Sequence, residues 1–423
     1  MNLLNYKKIF IVAGFIIITL ALLFLIVWMF FIPDKPKPGD PDYVPPGAYL
    51  PETGDRGDLI ELIEGGGLPG TGTRTGVEDG EEVTAPQPDV VARGGDTYTL
   101  PLTENKVLGV GLSSDRQGVV LYDQDDSRFY RISADGKSKN LMSDEKFYQV
   151  EDVVWAADST KAIITYPDDI KVFYDFSTKK KVTLPKELTE PEFAKGTDKI
   201  AFKFSSYDTD NNFIGISNPD GTGAKYLEAT GDEGNKFDIS ISPNEEIVAF
   251  YGKPTSVSDS EVFLVGQQGE NFESLEIEGT HFRSQWSPQG TWLLYHVVMP
   301  EYGFRPILWA VAANGSRFAT IKLNLGLRTW VEKCVFDTES IIYCAVPRRL
   351  EEGAGLYEDE VDDFEDEIYK IDLVKNKKQR IASPITDTGI DEFRISNLQI
   401  SDNGQFLFFW DANTEKVYNI QLR

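Results

Sequence analysis

The ten residues WSPQGTWLLY, Trp286 to Tyr295, read as half of a small antiparallel sheet. An apolar residue ends one strand, Ser-Pro-Gln-Gly turns the chain, and a second apolar run follows and finishes on a large side chain. The pattern recurs as LSSDRQGVVL from Leu112, WAADSTKAII from Trp155, FAKGTDKIAF from Phe193, ISPNEEIVAF from Ile241, CVFDTESIIY from Cys334 and ISDNGQFLFF from Ile400. The tenth positions are Leu121, Ile164, Phe202, Phe250, Tyr295, Tyr343 and Phe409, so each copy ends on a side chain able to fill space between packed sheets. Successive copies start 43, 38, 48, 45, 48 and 66 residues apart. All steps but the last fit the roughly 40 to 50 residues of a four-stranded repeat unit.

A second hairpin lies downstream in several copies: FYRISADGKSKNLM from Phe129, FIGISNPDGTGAKYL from Phe213 and LWAVAANGSRFATI from Leu308. Asp135-Gly136, Asp220-Gly221 and Asn314-Gly315 supply the positive φ that a tight reversal needs. One unit is therefore strand a, Ser/Pro/Asp turn, strand b, loop, strand c, Asx-Gly turn, strand d. Such a sheet has two apolar faces and cannot hide both alone, whereas seven around an axis bury each face against a neighbour. The expectation is an all-β fold, a seven-bladed β-propeller over residues 96–423, with Trp155 and Trp286 in its core. The last unit supplies strands near 398–401, 406–410 and 417–422 and then the chain stops. The alternating piece at 98–102 is expected to complete it, closing the ring with an N-terminal strand.

WSPQGTWLLY, ISPNEEIVAF and the S-N-P-D-G and S-A-D-G turns resemble the TolB-like family of WD40-like propeller repeats, over about three quarters of the chain. The resemblance implies the fold and leaves function open, because propellers serve unrelated tasks. TolB-like proteins with an extra N-terminal α/β domain depart from this chain, which has no room for one, and their translocation role is not carried over.

Upstream, residues 9–32 hold no charged side chain over 24 positions, enough as a helix to cross a bilayer. The stretch is too long for a cleavable signal, so it reads as a single transmembrane signal anchor. Lys7 and Lys8 put the short N-terminus, residues 1–8, in the cytoplasm and the bulk of the chain outside, in the periplasm or at the cell surface. Residues 33–95 carry 10 Pro, 13 Gly and 13 acids, a composition that cannot bury enough apolar surface to offset ordering, so a disordered stalk is expected. Two stretches, Leu50 to Gly54 (LPETG) and Leu68 to Gly72 (LPGTG), spell the sortase pentapeptide. The apolar span precedes them instead of following, which argues against wall anchoring.

The protein has 42 Lys plus Arg against 68 Asp plus Glu, a net charge of −26, with no basic stripe, and this excludes nucleic acid as a natural partner. The cluster Lys179, Lys180, Lys181 reads as a charged turn, and two Cys with two His leave no zinc set. There is no Gly-x-Ser-x-Gly elbow and no phosphate loop. The expected function is binding or scaffolding by a monomeric propeller, with a protein, peptide or envelope polymer as partner and no cofactor. The alternative is a propeller lyase or glycosidase using axial carboxylates, or an accessory domain of a hydrolase on another chain.

Binding is assigned to the rim that carries the long b-c loops, at 205–212, 253–260, 299–305 and 347–366, since long loops on a rigid scaffold are the usual recognition elements. The candidates are Tyr207, Asp208, Asp210, Tyr302, Phe304, Arg305, Tyr357 and Phe364. The run from Glu351 to Glu367 holds ten acids and reads as a solvated loop, with docking of a basic partner or Ca²⁺ binding as the functional readings. Asp208, Asp210 and Asn212 imitate the start of an EF-hand loop, but Phe213 replaces its glycine. Cys334 and Cys344 sit on opposite arms of one hairpin and can pair if the register sets them opposite. His281 and His296 read as packing or surface residues, and no metal site is assigned.

Overall fold

A computed structural model of the protein describes residues 87–314, 317–357 and 365–423. The predicted span at 9–32 and most of the stalk lie outside the described residues, and among these no helix is long and apolar enough to cross a membrane.

The regular secondary structure of the described chain is β-strand apart from short 3-10 turns, in five four-stranded sheets and one of eight strands. The large sheet is two four-stranded units joined edge to edge, so the repeat gives seven units. In six of them the four strands follow one another in meander order, and in the seventh three do so. The first strands are Val107–Leu112, Asp152–Trp155, Leu188–Phe193, Phe237–Ile239, Thr280–Trp286, Cys334–Phe336 and Ile395–Ile400. Neighbouring first strands pack against each other from unit to unit, directly or through the 3-10 turn Val331–Lys333, and the seventh packs against the first, so they line the axis of a closed ring. The apolar core is distributed accordingly. One cluster fills each gap: Phe129 with Tyr174, Ile163 with Phe202, Ile214 with Val248, Phe250 with Tyr295, Leu294 with Ile342, Tyr343 with Phe409, and Phe408 with Val119. All seven tenth-position residues of the repeat are buried.

The recurring serine has a definite job in the a-b hairpin. Ser287, Ser242 and Ser401 each accept, through Oγ, the backbone N–H of the residue five positions on, Trp292, Ile247 and Phe406, at 3.0 Å. Their carbonyls accept from the residue three positions on, closing a tight turn at Gly290, Glu245 and Gly404. That residue has positive φ in five hairpins, Arg116, Ser159, Glu245, Gly290 and Gly404, which explains why glycine recurs there. Gly136 and Gly221 have positive φ in the c-d turns as expected, and Gly315 lies outside the described residues.

Three expectations need correction. In blade six strand a ends at Phe336 and strand b is Ile341–Pro347, so the copy starts at Phe336, not Cys334, and its turn is one residue shorter. In blade four the strands continue through the expected loop: Ile247–Pro254 pairs with Asp259–Gly266, Pro254 lies opposite Ser260, and only residues 255–258 remain as a turn. The stalk boundary also moves, because bonding to the sheets begins before Asp96. Asp89 bridges to Thr97 and Val91 to Gln421, the Ala92 amide donates to Gln421, and the Gly94 amide donates to Ile381.

The ring is closed by the N-terminal strand Asp96–Pro101. Thr99 to Pro101 pair antiparallel with Ile420 to Tyr418, completing blade seven. Asp96 to Tyr98 also pair in parallel with Ser383 to Ile385, the outer edge of blade six. The N-terminal strand therefore joins the ring at its outer flank, against strand c of blade seven and strand d of blade six. Cys334 and Cys344 are cross-strand partners with Cα atoms 4.1 Å apart, buried, and joined by a disulfide.

Candidate functional site

The b-c loops and d-a connections share one end of the ring, and the tight a-b and c-d turns share the other. Among the described residues the connections at the loop end expose Tyr148, Tyr207, Val257, Tyr357 and Ile390, those at the turn end expose Val374, and Tyr98, Leu100, Leu141, Ile170, Tyr226, Phe263 and Ile321 are exposed along the strands. Tyr207 is wholly exposed at the tip of the blade-three loop. Asp208 beside it is a local cap, its carboxylate accepting from the Asp210 amide at 3.3 Å and from Asn211 Nδ2 at 3.1 Å, and Asp210 is exposed.

Blades five and six bring the remaining candidates together. Tyr302 to Arg305 form a half-buried corner against Leu350 to Gly355: Arg305 Nε donates to the Leu350 carbonyl at 2.7 Å, Gly353 to Gly303 at 2.9 Å, and Gly355 to Phe304 at 2.9 Å. Arg305 is thus a brace between loops, and Tyr357 stands exposed at the end of the braced segment. Phe364 lies outside the described residues. The acidic run is not wholly a solvated loop. Asp366 is buried, its Oδ2 accepting Lys333 Nζ at 2.6 Å and the Ile395 amide at 2.7 Å, and Glu367 pairs with Arg380 at 2.9 Å. Burial pushes the Asp366 carboxyl up to about 6 against the pull of Lys333.

A second polar constellation lines the axis, and sequence reading missed it. Glu192 and Asp238 come from the first strands of blades three and four, Arg283 from that of blade five, and Glu332 from the turn entering blade six. Asp238 is buried and its Oδ2 accepts both the Ser284 amide and hydroxyl at 2.8 Å, tying blade four to blade five. Glu192 Oε1 lies 3.4 Å from the Ile241 amide, tying three to four. Burial pushes the Glu192 carboxyl up to about 8, with the charge of Asp238 adding to the rise and Lys195 opposing it. Burial likewise pushes Asp238 up to about 7, against the stabilising charge of Arg283 and the bonds from Ser284. His296 is buried and kept neutral by loss of solvation, with Nδ1 accepting the Val331 amide at 3.2 Å, so it packs as expected. His281 is exposed. No cluster of His, Cys, Asp and Glu able to hold a metal ion occurs among the described residues.

The raised carboxyls fix a pH dependence. An acid whose folded pKa exceeds its unfolded value binds its proton more tightly when folded, so its stabilising effect is complete below the unfolded pKa and is lost as pH rises through the folded one. For Glu192 that window runs from about 4.5 to about 8. Glu192→Gln is therefore expected to leave the melting temperature near pH 4.5 unchanged and to raise it by ~2 °C at pH 8.5, within the scale of a sub-kcal gain in a domain of this size. Melting curves of both proteins across this range check it, and a parallel pair of curves would remove the axial assignment.

The ring of inward-stacked sheets defines a β-propeller protein. The β-propeller domain of Cps50 (Swd1) from Myceliophteria thermophila is similar, with a TM-score of 0.51 at 9% identity over 77% of this chain and 100% of that one. At that identity the likeness shows the fold alone. Hydrazine synthase from Kuenenia stuttgartiensis aligns more loosely, with a TM-score of 0.45 at 13% identity over 81% of this chain and 99% of that one, and this carries no argument. No protein-family model and no curated protein matches the chain, so the propeller is shown and the TolB-like relationship of the repeats is not.

Proposed function

We propose that this propeller is a binding module whose contact face is the loop rim, taking a protein or peptide partner, with an envelope polymer as the other ligand class. The carrying observation is what the connections expose among the described residues: Tyr148, Tyr207, Val257, Tyr357 and Ile390 lie in those of the loop end, against Val374 in the turns of the other. Long loops on a rigid scaffold are the usual recognition elements, and exposed aromatic tips such as Tyr207 and Tyr357 suit that use. In this reading residues 9–32 hold the protein at the cell membrane, residues 33–86 set its reach, and the propeller works outside the cytoplasm. A disulfide between Cys334 and Cys344 agrees with an oxidising compartment. A photo-crosslinking residue placed at Tyr207 or at Tyr357 of the detergent-solubilised full-length protein is expected to capture the same partner, and one placed at Val374 to capture none. Capture from Val374 alone, or equally from all three positions, overturns the reading.

The enzyme reading draws on a different observation. Glu192 and Asp238, carboxyls on neighbouring axial strands that titrate near neutrality, are the kind of pair that acid–base cleavage of a glycosidic bond employs. Hydrolysis of a panel of polysaccharides, abolished in Asp238→Asn, would favour it over binding.

A further inference from the structure

We infer that the loop-end mouth between blades two and three receives an acidic side chain, aspartate or glutamate, of a peptide partner, and that the Lys171 ammonium pairs with it. The inference rests on the reading of the loop rim as a binding face and names the chemistry of what binds there. Among the described residues three lysines are buried, Lys171, Lys203 and Lys333. Lys203 has Glu190 at 2.6 Å and Lys333 has Asp366 at 2.6 Å. Lys171 is 6% exposed and has no ion pair among the described residues; its Nζ makes one long bond, to the Asp169 carbonyl at 3.4 Å. Lysine is almost never buried without a partner, because stripping water from the ammonium is costly unless an anion replaces it. Folding alone therefore gives no reason for this one.

Strand pairing fixes the face it lies on. Asp152, Thr165 and Lys171 are cross-strand partners in one rung of blade two. Two residues further along the same strands, Val154, Ile163 and Phe173 pack with Leu188, Phe202 and Phe204 of blade three. By the alternation of strand side chains the rung faces blade three as well. Asp152 is exposed and stands beyond Thr165, unjoined to the lysine. The corresponding rung of blade three is Leu188, Phe204 and Phe213, with the two phenyl rings stacked at 4.8 Å. Those side chains offer an ammonium no hydrogen-bond acceptor.

The mouth belongs to the rim. The connection at 184–187 crosses from blade two to blade three, and the blade-three loop is tied to it by the Ser205 amide, which donates to the Glu187 carbonyl at 2.7 Å. Tyr207 stands wholly exposed on that loop. A carboxylate entering here meets a desolvated ammonium, where a charge-assisted bond is short and strong. The net charge of −26 repels acidic segments at long range, and salt screens that repulsion, so selection falls to the buried cation that lacks its anion.

The test uses the full-length protein in detergent and two pentapeptides, Gly-Phe-Glu-Leu-Gly and Gly-Phe-Gln-Leu-Gly, amidated at one end and carrying a neutral fluorophore at the other, read by anisotropy. The glutamate is the only carboxylate offered. Its peptide is expected to bind at least tenfold more tightly than the glutamine one, and Lys171→Met to erase the preference. Methionine fills similar volume and removes an unpaired buried charge, so this variant without peptide is expected to melt no lower than the parent, which separates lost binding from lost folding. A lower melting temperature would show that the ammonium already has its partner within the fold, and overturns the inference. Equal binding of the two peptides by the parent, or a preference kept by Lys171→Met, overturns it too. So does displacement of the glutamate peptide by sodium phosphate at matched ionic strength, with phosphate binding lost in the variant, which would make the mouth a site for a free inorganic anion. If photo-crosslinkers at Tyr207 and Tyr357 capture a partner that Lys171→Met binds as tightly as the parent, the inference fails and the rim reading stands. If the glutamate peptide binds while the rim captures nothing, the rim reading fails instead.

Discussion

Lys333→Met is expected to cost about 3 to 5 kcal/mol of folding stability at pH 7.5, the range for stripping one partner from a buried ion pair. Lys333 and Asp366 are both buried, 2.6 Å apart, and Asp366 also holds the Ile395 amide, so a single carboxylate joins the entry of blade six, its third strand and the first strand of blade seven. Methionine fills similar volume and leaves the charge of Asp366 without its cation. The sign with pH follows. Asp366 already titrates upward because of burial, and losing Lys333 raises it further. The deficit is therefore greatest above neutrality and shrinks as pH falls and the carboxyl takes up a proton. Lys333→Met/Asp366→Leu is expected to recover most of the loss, since an apolar pair avoids the desolvation of both charges. Denaturant unfolding of the three proteins at pH 5.5 and 8 measures all of this, and a single variant within 1 kcal/mol of the parent at pH 8 would show that the pair does not carry the junction.

The second large effect concerns the closing strand. A chain beginning at Thr103 lacks Asp96–Pro101 and uncovers two ladders at once, along Lys416–Gln421 and along Lys377–Ile385. At ~1 kcal/mol per ladder hydrogen bond, and with the buried Thr97, Thr99 and Leu102 also gone, the loss is about 5 kcal/mol or more. Amide exchange at residues 416–421 and 377–385 is expected to rise sharply while the first strands of blades two to five stay protected. A synthetic peptide spanning residues 87–102 should restore part of the protection. Unchanged exchange in the truncated chain would mean that closure lies elsewhere.

Much of this architecture was legible in the residues because the hairpin chemistry is local. The serine that caps the a-b turns of blades four, five and seven, and the left-handed position three residues later, leave a trace such as Ser287 with Gly290 or Ser401 with Gly404. In blade six, where Asp337 stands at the serine position and the turn is one residue shorter, the reading slipped by two residues and landed on Cys334. Blade four misled for another reason: Lys253 and Pro254 look like loop residues, yet pairing with Glu261 and Ser260 carries them in the sheet. The axial groups were harder. Asp238 and Arg283 each stand three residues before a repeat window, at Ile241 and Trp286, so their common register was visible. That they share one axis follows only from closing the ring. Glu192 breaks the spacing, standing one residue before Phe193.

The closing strand also has a mechanical meaning. It is clasped on both flanks, parallel to blade six and antiparallel to blade seven, with backbone bonds from Asp89, Ala92 and Gly94 ahead of it. A tug arriving along the chain from the N-terminal side meets those upstream bonds first and then a strand that two neighbours grip together. Tearing it free requires both ladders to fail, so the seam of the ring is reinforced where load enters.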